Sequence, residues 1–73
     1  MRKRDELTNR KSCMSKADPM EMTFVLLERD EAAPYAIRCW VDERIRLGKN
    51  QQNDEQIIEA LACAKTMEEE RGA

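Results

Sequence analysis

The apolar positions of this chain are spaced most regularly in its last third. Between residues 54 and 71, apolar side chains recur every three or four residues, which places them on one face of an α-helix. These residues are Ile57, Ala60, Leu61, Ala64 and Met67. Just before them, Asn53 and Gln56 have the spacing of a capping box. The pattern predicts a helix over residues 54–71.

A second amphipathic stretch covers residues 31–47. Its shared face carries Ile37, Trp40, Val41, Arg44 and Ile45. Asp30 and Glu31 offer an N-terminal cap, and Pro34 lies near the first turn, where a missing amide donor costs least. Gly48 follows the last turn, where a left-handed residue is favoured. The short polar connection up to Asn53 then predicts that the two helices fold back as an antiparallel hairpin.

Residues 19–29 allow two interpretations. Asp18, Pro19 and Glu21 resemble the capped start of a helix, which predicts a short helix over residues 19–29. Taken alone, however, residues 23–27 (Thr-Phe-Val-Leu-Leu) are also typical of a short buried strand. A single strand in so helical a chain would have to pair with its copy in a second subunit.

The first residues differ from the rest in charge and in pattern. Residues 1–16 hold six basic and two acidic side chains, a net charge of +4, whereas residues 17–73 hold seven basic and thirteen acidic ones, a net charge of −6. Because the basic stretch has almost no apolar periodicity, we expect residues 1–17 to form a disordered, mobile arm before a single helical domain at 18–73. Met14, Met20 and Met22 each offer an alternative translation start, which leaves open whether residues 1–13 belong to the working protein.

The predicted fold is therefore all-α, with a short N-terminal helix and a helical hairpin. With 73 residues, the chain is too short to bury a large core. We therefore expect a second copy to complete the core, in a homodimer or a higher oligomer. The candidates for the core or the oligomer interface are Phe24, Leu27, Ile37, Trp40, Val41, Ile45, Ile57, Leu61, Ala64 and Met67.

The composition argues against catalysis. The chain has no histidine, so the commonest general base and the commonest neutral metal ligand are both missing. Cys13, Cys39 and Cys63 are widely separated and form no C-x-x-C pair, which argues against a zinc ribbon, and their odd number argues against a disulfide framework. No glycine-rich phosphate loop occurs either. We expect neither enzymatic activity nor a cofactor or metal.

The sequence also bears on the compartment. Acidic Asp5 and Glu6 follow the basic first residues at the point where a signal peptide would become apolar. The longest apolar stretch without a charge, residues 22–27, is far shorter than the ~20 residues that cross a bilayer. These features predict a soluble, cytoplasmic protein without a membrane partner.

Two parts of the chain together resemble small uncharacterised proteins of bacteriophages and prophages. The first part consists of Phe24-Val25-Leu26-Leu27-Glu28-Arg29-Asp30, Ala33-Pro34, Ile37-Arg38 and Trp40. The second consists of Gly48-Lys49-Asn50, Glu59-Ala60-Leu61, Ala64, Met67-Glu68 and Arg71. The resemblance implies a phage-borne accessory protein in a bacterial cytoplasm that acts by covering a surface of a host protein or a virion component. It implies no catalytic residues.

Two functions are compatible with this sequence. The first is a non-enzymatic interaction module that binds an unidentified host or phage protein. The alternative is a nucleic-acid-binding accessory factor, because a basic arm can hold phosphates without a fold. Its candidate contacts are Arg2, Lys3, Arg4, Arg10, Lys11, Arg38, Arg44, Arg46 and Lys49. The net charge of −6 on the rest of the chain favours the first function.

A gel-shift series at increasing salt separates these two functions. An acidic interaction module should not retain DNA or RNA, because most of its surface repels phosphate. The nucleic-acid hypothesis instead predicts binding that weakens steeply as salt rises and disappears when residues 1–16 are removed. That second outcome would contradict the function we favour.

Overall fold

The computed structural model describes residues 2–72, which contain four helices and no strand. In chain order these are α1 (Lys3–Thr8), α2 (Cys13–Lys16), α3 (Ala33–Arg46) and α4 (Glu55–Gly72). The predicted all-α class is therefore confirmed for the described residues. Met1 and Ala73, the outer ends of the predicted arm and domain, lie outside them.

Helix α3 begins two residues later than predicted. The Asp30 side chain accepts a hydrogen bond from the backbone N–H of Ala32 (2.9 Å), and its carbonyl oxygen accepts one from Ala33 (3.0 Å). These bonds close a turn ahead of the helix, so Asp30 does not cap the helix itself. Pro34 lies in the first turn, as expected.

The C-terminal end of α3 depends on Gly48, which has a φ angle of +74°. The Gly48 N–H donates to the Ile45 carbonyl, and the Lys49 N–H donates to the Arg44 carbonyl, both at 3.0 Å. This pair of bonds is the Schellman motif, in which a glycine adopts the left-handed conformation without a steric penalty from Cβ. The predicted helix stop at Gly48 is confirmed.

The loop between α3 and α4 closes around Asp54. Its carboxylate accepts hydrogen bonds from the Gln51 N–H (2.9 Å) and from the Asn50 side chain (3.0 Å). These donors, the Gln51 N–H first, lower the pKa of Asp54 because they stabilise the ionised form. The loop thus differs from the predicted Asn53–Gln56 capping box, since the Gln56 side chain accepts from Asn50 instead (3.2 Å).

Helices α3 and α4 pack against each other and hold most of the buried apolar residues. These are Ala33, Val41, Ile57 and Ala64, together with Pro34. Two ion pairs cross between the end of α4 and the start of α3: Arg38 with Glu68 (2.5 Å) and Arg71 with Glu31, just before α3 (3.5 Å). The C-terminal turns of α4 therefore lie beside the N-terminal part of α3.

The N-terminal residues are not the structureless arm that the sequence predicts. Ser12 is buried, and its hydroxyl donates to the Glu6 carbonyl (2.6 Å) while accepting from the Ser15 N–H (3.1 Å). The Glu6 carboxylate in turn accepts from the Met14 N–H (2.8 Å). Local polar bonds therefore organise α1 and α2. Apolar periodicity does not predict these helices, because polar side chains hold them together. The division into residues 1–17 and 18–73 stays a prediction.

The predicted helix over residues 19–29 is wrong. Its capping contacts do form, because the Asp18 N–H donates to the Glu21 carboxylate and the Met20 N–H donates to the Asp18 carboxylate, both at 3.1 Å. They close one turn only, and residues 22–27 that follow are neither helix nor strand. Thr23 and Val25 are β-branched and have low helix propensity, and their side chains are exposed, so burial does not compensate for it.

Two adjacent isoleucines of α4 offer a matched test of this core. Ile57 is 1% exposed whereas Ile58 is 56% exposed. We expect Ile57→Ala to lower the free energy of unfolding by ~2–5 kcal/mol, because it leaves a cavity between α3 and α4. Ile58→Ala should lower it by only about 0.5 kcal/mol. Urea titrations followed by circular dichroism, at equal chain concentration, measure both values. If both variants lose the same free energy of unfolding, Ile57 does not lie at the centre of the core.

Candidate interaction surfaces

Most of the large apolar side chains of the chain are exposed, although each could have strengthened a core. Those exposed are Leu7, Met14, Met20, Met22, Phe24, Val25, Leu27, Tyr35, Trp40, Leu47, Ile58 and Leu61. Single exposed apolar residues are ordinary, but clusters of them mark interaction surfaces. Here they cluster in two places, the stretch before α3 and the outer faces of α3 and α4.

The first cluster is residues 22–27, hereafter the apolar segment. Met22 is 94% exposed and Phe24 is 88% exposed, and Val25 is exposed as well. A cleft of about 580 Å³ runs beside the segment, lined by residues 23–27 and by Lys3, Glu6, Leu7, Cys13 and Met14. Within residues 2–72, no backbone N–H or C=O of residues 22–26 takes part in a hydrogen bond. The segment therefore presents both apolar side chains and free backbone groups.

The structure distributes the predicted core and interface candidates over three environments. Val41, Ile57 and Ala64 are buried. Ile37, Ile45 and Met67 are half-buried between the helices and solvent. Phe24, Leu27, Trp40 and Leu61 are exposed. Whether the exposed ones form an interface stays a prediction.

Trp40 is the largest side chain on the helical surface. It is 40% exposed, and the guanidinium of Arg44 lies 5.6 Å from its ring centroid, within range of a cation–π interaction. Arg44 is itself held in place, because its Nε donates to the Asn50 side chain (2.6 Å). The Trp40 ring is thus fixed from one side by a residue that the interhelical loop positions.

A stack of Tyr35 with Arg38, which the three-residue spacing allows, does not form. Arg38 pairs with Glu68 on α4 instead. The Tyr35 side chain interacts with that of Cys39, one turn along α3, and this interaction raises the pKa of Tyr35.

Many of the cations considered for nucleic-acid binding are already engaged with acids of the chain. Arg2, Arg4, Arg38 and Arg46 each form an ion pair with an Asp or Glu side chain. Lys3, Arg10, Lys11 and Lys49 form none within residues 2–72. A phosphate would have to compete with the internal carboxylates for the first group.

A carboxyl pair with one arginine connects the N-terminus to α4, a site that the sequence pattern did not indicate. Arg2 donates to both carboxylate oxygens of Glu70 (2.6 and 3.1 Å) and lies 4.0 Å from Glu28. The Glu28 carboxyl group can donate to Glu70 when Glu28 is protonated. We call this group the Arg2 clasp. Sequence separations of this size, such as 68 positions between Arg2 and Glu70, leave no local signal.

The Arg2 clasp shifts the pKa values of its two carboxyl groups in opposite directions. The bond from Arg2, then the bond from Glu28, lowers the pKa of Glu70 from 4.5 to about 2. The bond to Glu70 raises the pKa of Glu28, because only the protonated carboxyl can donate to its neighbour. The proton of the pair is therefore held on Glu28.

Within residues 2–72, no group of three or more Cys, Asp or Glu side chains is arranged to hold a metal ion. In the same residues, no helix has the length and the apolar content needed to cross a membrane.

Comparison with protein-family models, with curated proteins and with solved structures finds no match for this chain. The geometry of the surfaces is therefore the basis for any statement about function.

The Arg2 clasp makes a prediction about pH. Because the pKa of Glu70 is lowered, its ionised form favours the clasp above about pH 4.5, and this contribution is lost as the pH falls toward 2. Because the pKa of Glu28 is raised, its contribution is present below 4.5 and is lost as the pH rises through the raised value. Carboxyl NMR titration should show Glu70 titrating near pH 2 and Glu28 above 4.5.

Glu70→Gln tests the cause of these shifts. The Gln amide keeps an acceptor oxygen for Arg2 but cannot carry the negative charge that holds the Glu28 proton, so the pKa of Glu28 should fall back toward its ordinary value. Glu69→Gln is the matched control, because it removes a neighbouring charge of α4 that is outside the Arg2 clasp. If Glu28 titrates unchanged in Glu70→Gln, the hydrogen bond between the carboxyl groups is not the cause.

Proposed function

We propose that this chain is a non-enzymatic, phage-type accessory protein that acts through protein–protein interaction in a bacterial cytoplasm. Its targets in this proposal are a second copy of itself and a host or phage protein. The observation that supports the proposal is the exposure of Phe24, Tyr35 and Trp40, all three aromatic residues of the chain. A small domain that binds nothing gains stability by burying such residues.

In this proposal α3 and α4 form the antiparallel hairpin that presents the helical part of the surface. The loop of residues 47–54 is short enough to return the chain beside α3. The ion pairs of Arg38 with Glu68 and of Arg71 with Glu31 support an antiparallel arrangement, since residues early in one helix pair with residues late in the other. The buried Ile57 and Val41 give this pair of helices its core.

Trp40 is the best candidate for the centre of the partner-binding surface. Tryptophan and arginine are the residue types most enriched at energetic hot spots, and here Arg44 covers one side of the Trp40 ring. Because Asn50 holds Arg44, little side-chain entropy remains to be lost when a partner docks. Leu61 and Ile58 add exposed apolar area one helical turn apart on α4.

Charge indicates the kind of partner surface that fits. Residues 17–73 carry a net charge of −6, and Asp42, Glu55 and Glu59 are exposed. This net negative charge favours a basic surface on the partner and raises the rate of encounter with it. Nucleic acid is the weaker candidate, because Arg2, Arg38 and other candidate cations are paired internally.

The proposal can be tested by capture from bacterial and phage-infected lysates with the tagged full chain. Wild-type protein should enrich a specific protein, and Trp40→Ala should reduce its recovery at least tenfold, the loss typical of a hot spot. Tyr35→Ala is the matched control, since it removes an equally aromatic but more exposed residue of the same helix.

Circular dichroism must show that Trp40→Ala is still helical for this comparison to count. Equal recovery by wild type and Trp40→Ala would contradict the role of Trp40. Enrichment of nothing beyond the tag control would contradict the proposed function.

A further inference from the structure

We propose that the apolar segment pairs with the same segment of a second copy, as a two-stranded antiparallel ribbon centred on Val25. The inference rests on the self-association included in the proposed function and assigns it to particular residues. The ribbon is separate from the surface centred on Trp40, which we assign to a host or phage protein.

The backbone of the apolar segment is the first reason. The N–H and C=O groups of residues 22–26 bond to nothing within residues 2–72, whereas the residues on either side are bonded in turns: the Glu21 N–H to Asp18 and the Asp30 N–H to Leu27. Backbone polar groups in folded proteins are nearly always paired or hydrated. A row of free groups between two closed turns is what a second strand can use.

The side chains of the apolar segment are the second reason. Thr23, Phe24 and Val25 belong to the types enriched in strands and disfavoured in helices. Met22 and Phe24 are among the most exposed residues of the chain, and the open cleft beside residues 23–27 leaves room for another strand. No strand exists within residues 2–72 to fill that place. A second copy supplies one of matching character.

The charges that flank the apolar segment select the register. With Val25 opposite Val25 of the other copy, Thr23 faces Leu27 and Phe24 faces Leu26, and the turns that flank the ribbon bring Glu21 of one copy to the same end as Arg29 of the other. Arg29 forms no ion pair within residues 2–72, so it is free for this contact. A shift of the partner by one position brings Glu21 closer to Glu28 or Asp30 of the other copy, which like-charge repulsion disfavours.

Cysteine cross-linking of the full chain tests the register. The background replaces Cys13, Cys39 and Cys63 with Ser, and circular dichroism checks that it is helical. In that background Val25→Cys should be joined into covalent dimers by mild oxidation or a short bis-maleimide, because directly opposed Cα atoms are ~4.5–5.5 Å apart. Non-reducing gels at micromolar concentration measure the yield.

Two matched variants serve as controls. In the same register, Thr23 lies four residue steps from Thr23 of the other copy, or about 14 Å, so Thr23→Cys alone should not form a direct disulfide. An equimolar mixture of Thr23→Cys and Leu27→Cys should form the mixed dimer, since these positions face each other. Efficient disulfide formation by Thr23→Cys alone would overturn the register.

A charge exchange gives an independent measurement. Arg29→Glu brings two acids together at each end of the ribbon and should weaken dimerisation several-fold in light scattering after size exclusion. Adding Glu21→Arg to Arg29→Glu restores opposite charges and should restore much of the dimer. Glu31→Arg is the control, because Glu31 lies beyond the ribbon, next to Arg71.

The outcomes separate this inference from the proposed function. A dimer that cross-links at Val25→Cys and responds to the charge exchange supports both. If light scattering shows a dimer but Val25→Cys does not form the cross-link, the ribbon is overturned while self-association stands. A folded monomer at micromolar concentration overturns the ribbon and the self-association together, whatever protein the Trp40 surface captures.

Discussion

The packing of α3 against α4 around Ile57 is the contact on which the rest of the structure depends. Ile57 is the only large side chain of the described residues that is completely covered, and Val41, Ala33 and Ala64 surround the same small core. The two small alanines let the helix backbones approach closely, but they contribute little apolar area. A core of this size leaves no surplus to order other parts of the chain, so those parts rely on polar contacts.

Those polar contacts explain how the N-terminal residues join the fold. Ser12 and Glu6 organise α1 and α2 locally, and the Arg2 clasp ties them to the far end of α4. Exposed ion pairs are individually weak, and a bidentate arginine with a shared carboxyl proton is among the more specific arrangements available to them. The N-terminus is thus positioned by directional bonds, with little help from burial.

The same shortage of core accounts for the exposed apolar residues. A chain of 73 residues cannot cover Phe24, Tyr35 and Trp40 at once, because small domains have a high ratio of surface to volume. The surfaces that remain differ in kind. Trp40 lies on a rigid helix with its ring held by Arg44, which suits a preformed partner surface. The apolar segment has free backbone groups, which suit another strand.

The sequence by itself determined the elements whose signals are local: α3 and α4, the position of Pro34 and the stop at Gly48 all follow from spacing and backbone preference. It failed where local signals competed, as at Asp18 and Glu21, whose capping contacts form without a helix because Thr23 and Val25 disfavour one and their side chains stay exposed. Only the tertiary structure decided the Arg2 clasp and the exposure of Trp40. These depend on residues far apart in sequence meeting in space, which neither periodicity nor composition encodes.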